Sequence, residues 1–322
     1  MDVKLYRCLC LVVISVAISS INSVADDLEQ LAEIARLVAQ LDADQYAIRH
    51  RAHLRLLDVG EQALPELHRA SKATSTEQRY RARQLIRQIR RKALQTSFAK
   101  IARREDSEID LDEGMLLIAR ILDTNVDRKA IVAQLDQLAD DVRERLGRDI
   151  KPKDAPPKEF VDALIGVLRD DFKLSGNVTD YNNPNNSSLA RVLSTRKGLP
   201  IVISHVAISV AERLEAPIVG LAVPQRYMIK YDGSRAPKGL PQDDIIIDPF
   251  GGWEVLTPAE VKAIIRSFDP NKHLVPSPRR DSLIRMLNNL ESDLLGSEKF
   301  EEAAETRQII SLLVSSRPTE AP

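Results

Sequence analysis

The sequence predicts an α+β protein in which one central helix packs on a small antiparallel sheet, flanked along the chain by α-helical repeat segments. The apolar run that opens at Pro200 predicts the central helix, because proline is favoured in a first helical turn. Its apolar residues lie on nearly every side, which indicates burial on more than one face. Three short strand-like runs follow at 218–223, 227–231 and 243–248, each bounded by turn residues.

The first 25 residues have the pattern of a signal peptide. Lys4 and Arg7 make a basic start, the run 8–21 carries no charge, and Ser23 and Ala25 are the small residues that precede a cleavage site. A membrane span needs about 20 apolar residues, and this run is shorter. We therefore expect an exported protein, periplasmic or secreted, with no membrane span after cleavage; retention of the segment as an anchor is the alternative.

Both cysteines of the chain, Cys8 and Cys10, lie in this segment. Without residues 1–25 the chain has 44 basic residues, 46 acidic residues and no cysteine. Such a chain can form no disulfide, no thiolate metal site and no cysteine nucleophile. Its nearly balanced charge gives no general attraction to nucleic acid.

Residues 26–95 are predicted to form a helical domain, since their apolar residues recur at helical spacing. The pattern of Arg49 and Ala52 recurs thirty residues later at Arg79 and Ala82. A recurrence of this length is typical of a repeated pair of helices. The wording of the two segments resembles HEAT-type repeats.

The stretch 69–104 contains twelve Arg or Lys residues and one acidic residue, Glu77. A nucleic-acid surface would show this charge, but only Tyr80 offers a ring on which a base could stack. The acidic run 105–110 follows directly. We interpret the stretch as a solvated helix face and expect no nucleic-acid partner.

The predicted α+β domain spans residues 96–275, and it includes two amphipathic helices within 107–147. A C-terminal helical hairpin follows at 276–316, broken at Gly296. The hairpin resembles one tetratricopeptide-like pair, and a plain closing hairpin is the alternative. The last residues, 317–322, are expected to form a disordered tail.

Several phrases of the α+β domain occur in an order that points to one family. They are SEIDLDEGMLLIARILD, LDQLADDVRERLG, GNVTDYNNPNNSSLARVLSTRKGLPIVISHVAISVAERL, VPQRYMIKY and IIIDPFGG. Over about 107–253 they resemble the transglutaminase-like domain of the SirB-type regulator family. This resemblance implies a papain/transglutaminase-like core. Catalytic members use a cysteine at the start of the central helix, a histidine on the next strand and an aspartate on the strand after it.

The resemblance assigns Pro200 to the cysteine position, Arg226 to the histidine position and Asp248 to the aspartate position. Proline has no nucleophile, and a guanidinium cannot act as a base at ordinary pH. The resemblance therefore implies a degenerate triad, and the protein would be a pseudoenzyme. We predict that Arg226 and Asp248 form a charge-assisted pair that could be bidentate. The alternative for Asp248 is capping of the turn 249–252, and it could do both.

The remaining candidates for chemistry are histidines and serines. Ser204 and His205 are adjacent on a helix, so their side chains diverge by about 100° and cannot form a nucleophile–base pair. We expect His205 to be a packed helix residue. His50 and His53 could share a helix face, but no third ligand is evident, so we predict no metal site and no cofactor.

The sequence thus predicts an exported, non-catalytic module that binds a protein or peptide partner. Asn186, Tyr227 and Trp253 are candidates for lining a binding cleft, with core packing as the alternative for Tyr227 and Trp253. The alternative function is a transglutaminase-like or peptidase-like acyl-transfer enzyme that uses a nucleophile other than cysteine.

Overall fold

The computed structural model describes residues 28–265 and 267–316. The predicted signal peptide, 1–25, and the predicted tail, 317–322, lie outside the described residues. The helices are α1 (28–40), α2 (Tyr46–Val59), α3 (Leu64–Ala70), α4 (Thr76–Ala102), α5 (Leu111–Leu122), α6 (Arg128–Leu146), α7 (Pro157–Ile165), α8 (Leu189–Thr195), α9 (Pro200–Arg213), α10 (Pro258–Ile264), α11 (Pro270–His273), α12 (Arg279–Gly296) and α13 (Phe300–Ser315). The strands are β1 (Ser175–Gly176), β2 (Lys197–Gly198), β3 (Ile218–Val223), β4 (Arg226–Tyr231), β5 (Ile245–Asp248) and β6 (Glu254–Leu256).

The chain divides into two compact units, one that ends at Ala93 and one that starts at Leu94. The first unit is helical and has its own apolar core, which includes residues from α1, α2, α3 and α4. The second unit contains both sheets and a larger core centred on α9. The predicted domain boundary at residue 95 is close to this division.

The repeat seen in the sequence of the first unit is also a repeat of structure. Arg49 donates from Nη1 to the carbonyl oxygens six and five positions before it, at 2.7 and 2.8 Å. Arg79 makes the same two contacts at 2.8 and 2.5 Å. Ala52 and Ala82 are fully buried at equivalent places on α2 and α4. The repeated arginine therefore closes the turn before each helix, and the repeated alanine allows close packing.

The second unit has the predicted arrangement of one central helix on an antiparallel sheet. Every residue of α9 from Pro200 to Ala211 is buried, as its apolar residues on all sides predicted. The four-stranded sheet has the order β3-β4-β5-β6, and each neighbouring pair is antiparallel. The α+β class is therefore confirmed.

Neither β6 nor the parallel pair of β1 with β2 is predicted by the sequence. Strand β6 has three residues and two of them are exposed, so it shows no alternating pattern that could be recognised. The β1–β2 pair joins only two residues from each strand. Its partners are distant in the chain, and local patterning carries no signal for such a contact.

The C-terminal hairpin belongs to the second unit rather than forming a unit of its own. Leu283, Leu287 and Leu290 of α12 lie fully buried in the same core as α9. On α5, a Cβ atom at Gly114 would lie 2.5 Å from the side chain of Leu283. The absence of a side chain at Gly114 thus allows α12 to approach α5 closely.

Asp293 on α12 is a buried carboxyl group that lowers the stability of the folded chain. Its side chain is 8 % exposed, and its Oδ2 has no hydrogen-bond partner among the described residues. Burial raises the pKa of this carboxyl group from 3.8 to about 6. Because folding raises the pKa, the folded state loses stability as pH rises from about 4 to 6, and this loss is complete above that window.

We expect Asp293→Asn to raise the free energy of unfolding by about 2 kcal/mol at pH 7.5, since the neutral amide carries no charge to desolvate. Urea unfolding at pH 7.5 and pH 3.5 would measure the effect, which should largely disappear at the lower pH. Glu298→Gln, at an exposed position between α12 and α13, is the matched control and should change stability little. If Asp293→Asn destabilised the chain at pH 7.5, the prediction would be contradicted.

Candidate functional site

The start of the central helix lies against strand β4. Pro200 is the first residue of α9, and the N–H of Leu199 before it donates to the Asn186 carbonyl at 3.2 Å. One turn into the helix, Ser204 donates from Oγ to the carbonyl oxygen of Tyr227 at 3.3 Å. Tyr227 directly follows Arg226, so the helix start and the strand position assigned to a base lie in one region of the fold.

Arg226 and Asp248 form an ion pair across the neighbouring strands β4 and β5. The guanidinium donates from Nη1 to Oδ2 of Asp248. The Asp248 side chain is only 2 % exposed, whereas that of Arg226 is 35 % exposed. The predicted pair is therefore confirmed, with a contact through one carboxylate oxygen rather than two.

The second carboxylate oxygen of Asp248 caps the turn that follows β5. Its Oδ1 accepts the N–H of Gly251 at 3.0 Å. The backbone carbonyl of Asp248 accepts the N–H of Trp253 at 2.9 Å. A Cβ atom at position 251 would lie 2.6 Å from Oδ2, so only glycine permits this close approach. Asp248 thus has both of the predicted roles, as the partner of Arg226 and as the cap of the turn.

The turn that carries Arg226 is held from α12. Gln225 lies in the left-handed region, with a φ of 61°. Arg285 donates from Nη2 to the carbonyl oxygens of Val223 at 3.2 Å and Arg226 at 2.8 Å. Its guanidinium lies 5.6 Å from the centre of the Tyr227 ring, and burial lowers its pKa. The role of Arg285 is not predicted by the sequence, because this residue lies on a distant helix and matches no phrase of the core.

A cleft of about 370 Å³ opens beside Arg226. It is lined by Pro224, Gln225, Arg226, Ile264, Ile265 and Ser267. The first three residues belong to the β3–β4 turn and the start of β4, and the others come from the end of α10 and the segment after it. The cleft therefore borders the exposed side of the ion pair.

The three residues predicted to line a cleft lie elsewhere. Asn186, Tyr227 and Trp253 are 4 %, 1 % and 2 % exposed, and none of them borders the cleft beside Arg226. The Tyr227 hydroxyl bonds to the hydroxyl of Ser282 at 2.8 Å, and Trp253 donates to the carbonyl of Leu174 at 2.9 Å. Asn186 donates to two carbonyl oxygens of the loop before it. Burial supports core packing for Tyr227 and Trp253, and it makes Asn186 a loop-stabilising residue.

Ser204 and His205 do not form a nucleophile–base pair. His205 is 1 % exposed, and its Nδ1 bonds to the carbonyl of Ile201 at 2.7 Å. Its Nε2 has no hydrogen-bond partner in the part of the chain that the structure describes. Burial lowers the pKa of His205 from 6.5 to about 4, so the imidazole is neutral at ordinary pH. Ser204 is bonded to the Tyr227 carbonyl and not to His205. Because His205 is buried and bonded within its own helix, it is the packed helix residue that the sequence predicted.

Neither a cluster of metal ligands nor a membrane span occurs within residues 28–265 and 267–316. No group of three or more His, Cys, Asp or Glu side chains is arranged to hold a metal ion there. No helix in those residues combines the length and the apolar character that crossing a membrane requires.

Comparison with known proteins agrees with the geometry of the second unit. Residues 129–288 match the family model described as transglutaminase-like superfamily. The chain is 28 % identical over 229 residues to UPF0162 proteins from two strains of Xylella fastidiosa, which covers 66 % of this chain and 75 % of theirs.

Shorter similarities extend to more distant proteins. A UPF0162 protein of Pseudomonas aeruginosa is 30 % identical over 105 residues, 33 % of each chain. F-box only protein 21 of Mus musculus is 32 % identical over 108 residues, which covers 33 % of this chain and 17 % of that protein. With its central helix on an antiparallel sheet and its match over residues 129–288, the chain contains a domain of the transglutaminase-like superfamily.

Proposed function

We propose that this chain is an exported, non-catalytic member of the transglutaminase-like superfamily that binds a protein or peptide. One observation carries the proposal: the guanidinium of Arg226 is paired with the buried carboxylate of Asp248. These are the positions that the resemblance assigns to the base and to the group that orients it. The degenerate triad has thereby become a structural tie between two strands.

Acyl transfer at this place would need groups that these side chains cannot supply. A guanidinium stays protonated at ordinary pH, so Arg226 cannot accept a proton from a nucleophile. Pro200 occupies the helix start, and the sequence has no cysteine from residue 26 onward. A nucleophile with an adjacent, oriented base is what this class of catalysis requires.

The alternative, an acyl-transfer enzyme with a different nucleophile, receives no support from Ser204. Its hydroxyl donates to the backbone carbonyl of Tyr227, and the neighbouring His205 bonds one turn back along its own helix. The adjacent histidine therefore does not act as a base toward the hydroxyl oxygen of Ser204.

The other parts of the proposal rest on the flanking segments. Export rests on the signal-peptide pattern of residues 1–25. A binding role is supported by the repeated helices of the first unit, because repeated helix pairs commonly present surfaces to partners. We also propose that these helices are related to HEAT-type repeats and that the transglutaminase-like domain belongs to the SirB-type branch.

An activity assay tests the absence of catalysis. We expect the chain to incorporate no fluorescent amine into a glutamine-rich protein and to release no peptides from labelled casein. In both assays the measured rate should equal that of buffer alone. Ser204→Ala and Arg226→Lys should behave in the same way, because neither residue acts in a reaction. Turnover by the wild-type chain would overturn the proposal and revive the acyl-transfer alternative, and its loss in either variant would assign the reaction to this part of the fold.

A further inference from the structure

We propose that the cleft beside Arg226 binds a carboxylate group of a peptide ligand, with the guanidinium of Arg226 as its donor. The inference rests on the proposed function, because it gives a binding role to the residue at the position of the lost base. It names the chemistry of the ligand that the domain would recognise.

The donors of Arg226 are only partly used within the protein. A guanidinium carries five N–H donors in a planar fork. One of its nitrogens, Nη1, donates to Asp248, and no other partner of this side chain is found among the described residues. With about a third of the side chain exposed, the remaining donors are accessible from the cleft.

The guanidinium is also held in place before any ligand arrives. Asp248 binds it from the buried side, and Gly251 in turn holds the other carboxylate oxygen at 3.0 Å. Arg285 fixes the backbone of Arg226 itself through its carbonyl oxygen at 2.8 Å. A donor that is already ordered loses less entropy on binding, which favours recognition.

The walls of the cleft suit a carboxylate that adjoins an apolar group. Its volume of about 370 Å³ is at the lower end of the range for small-molecule sites. Ile264, 45 % exposed, and the buried Ile265 make one apolar wall, while Gln225 and Ser267 add polar groups. The planar fork of arginine matches the two oxygens of a carboxylate. An apolar C-terminal residue of a peptide, or an acidic side chain next to an apolar one, has this chemistry.

A chemical-shift titration of the full-length chain tests the inference with three small probes. We expect N-acetyl-leucine to bind saturably at the cleft and N-acetyl-leucinamide, which lacks the carboxylate, to bind at least tenfold more weakly. N-acetyl-aspartic acid α-amide carries only a side-chain carboxylate and is the third probe. Tighter binding of the first probe would assign the ligand to a peptide terminus, and tighter binding of the third to an internal acidic residue. If neither of the two carboxylate probes bound more tightly than N-acetyl-leucinamide, the inference would be overturned.

Substitutions in the cleft give the second part of the test. Ile264→Asp adds a negative charge at an exposed position of the wall, and we expect a loss of at least tenfold in affinity for N-acetyl-leucine. Val255→Asp is the matched control, since Val255 is 54 % exposed and does not line the cleft. Arg226→Lys keeps a cation that can pair with Asp248 but lacks the fork, so it should also lose at least tenfold.

The two proposals fail in different ways. Unchanged affinity in both the Ile264→Asp and the Arg226→Lys variants would overturn the carboxylate site while the activity assay still reports no turnover. Turnover by the wild-type chain would overturn the proposed function whatever the titration shows.

Discussion

Arg226→Met is expected to lower the free energy of unfolding by about 3 kcal/mol, the largest effect that we anticipate for a substitution in the site. The loss arises because the carboxylate of Asp248, 2 % exposed, would be left buried without its cation. The partial exposure of Arg226 allows some water to reach the vacated space, so we place the effect at the lower end for buried pairs. Urea unfolding at pH 7 would measure it.

The double variant Arg226→Met with Asp248→Asn separates two effects of losing Arg226. One is the loss of the ion pair itself, and the other is the cost of leaving the Asp248 charge buried without a partner. Asparagine keeps an oxygen that can accept the N–H of Gly251, and it carries no charge to desolvate. We therefore expect the double variant to be more stable than Arg226→Met alone. Arg191→Met, on the exposed face of α8, is the control and should change stability by less than about 0.5 kcal/mol. Equal stability of the single and double variants would show that Asp248 is not stranded by the loss of Arg226.

The chain is expected to lose about 3 kcal/mol of stability between pH 7 and pH 4 because of His205 alone. Burial lowers the pKa of this imidazole to about 4, the hydrogen bond to the Ile201 carbonyl opposes that shift, and the nearby cation of Arg279 adds to it. Between pH 6.5 and 4 the unfolded chain therefore binds a proton that the folded chain does not bind. Stability contributed by the neutral imidazole is fully present above pH 6.5 and is lost as pH falls through this window.

Unfolding in urea at pH 7, 6, 5 and 4 would measure the contribution of His205. His205→Gln removes the titrating group. The free energy of unfolding of the wild type minus that of the variant should therefore decrease steadily as pH falls. Asn271→Gln, at an exposed position on α11, is the matched control, because it changes no titrating group and should keep the wild-type pH dependence. A variant at position 205 with the same pH dependence as wild type would refute the assignment.

The features that could be predicted from the sequence are those with a local pattern. The burial of α9 follows from apolar residues on every side, and three of the four strands in the larger sheet follow from short runs of β-branched residues. The pairing of Arg226 with Asp248 was also predicted, because the ordered phrases of a resembling family place them on neighbouring strands. In each case the information lies in adjacent residues or in their order along the chain.

The surroundings of the pair could not be predicted in this way. Arg285 holds the turn at Gln225 from a helix that starts more than fifty residues later in the chain, and α10 supplies the apolar wall of the cleft. The choice of Asn186, Tyr227 and Trp253 as cleft residues shows the same difficulty. Their residue types suit a binding surface, but their side chains are buried and bonded internally.

The sequence by itself determined the α+β class and the buried central helix, and its resemblance to a known family assigns Pro200 and Arg226 to the positions of a nucleophile and a base. The first two follow from local periodicity and the assignment follows from the order of phrases along the chain, so none of them depends on distant contacts. Only the tertiary structure decided that Asp248 is buried while Arg226 remains partly exposed, and that a cleft opens on the exposed side. Exposure depends on which distant elements pack over a residue, so local sequence does not set it.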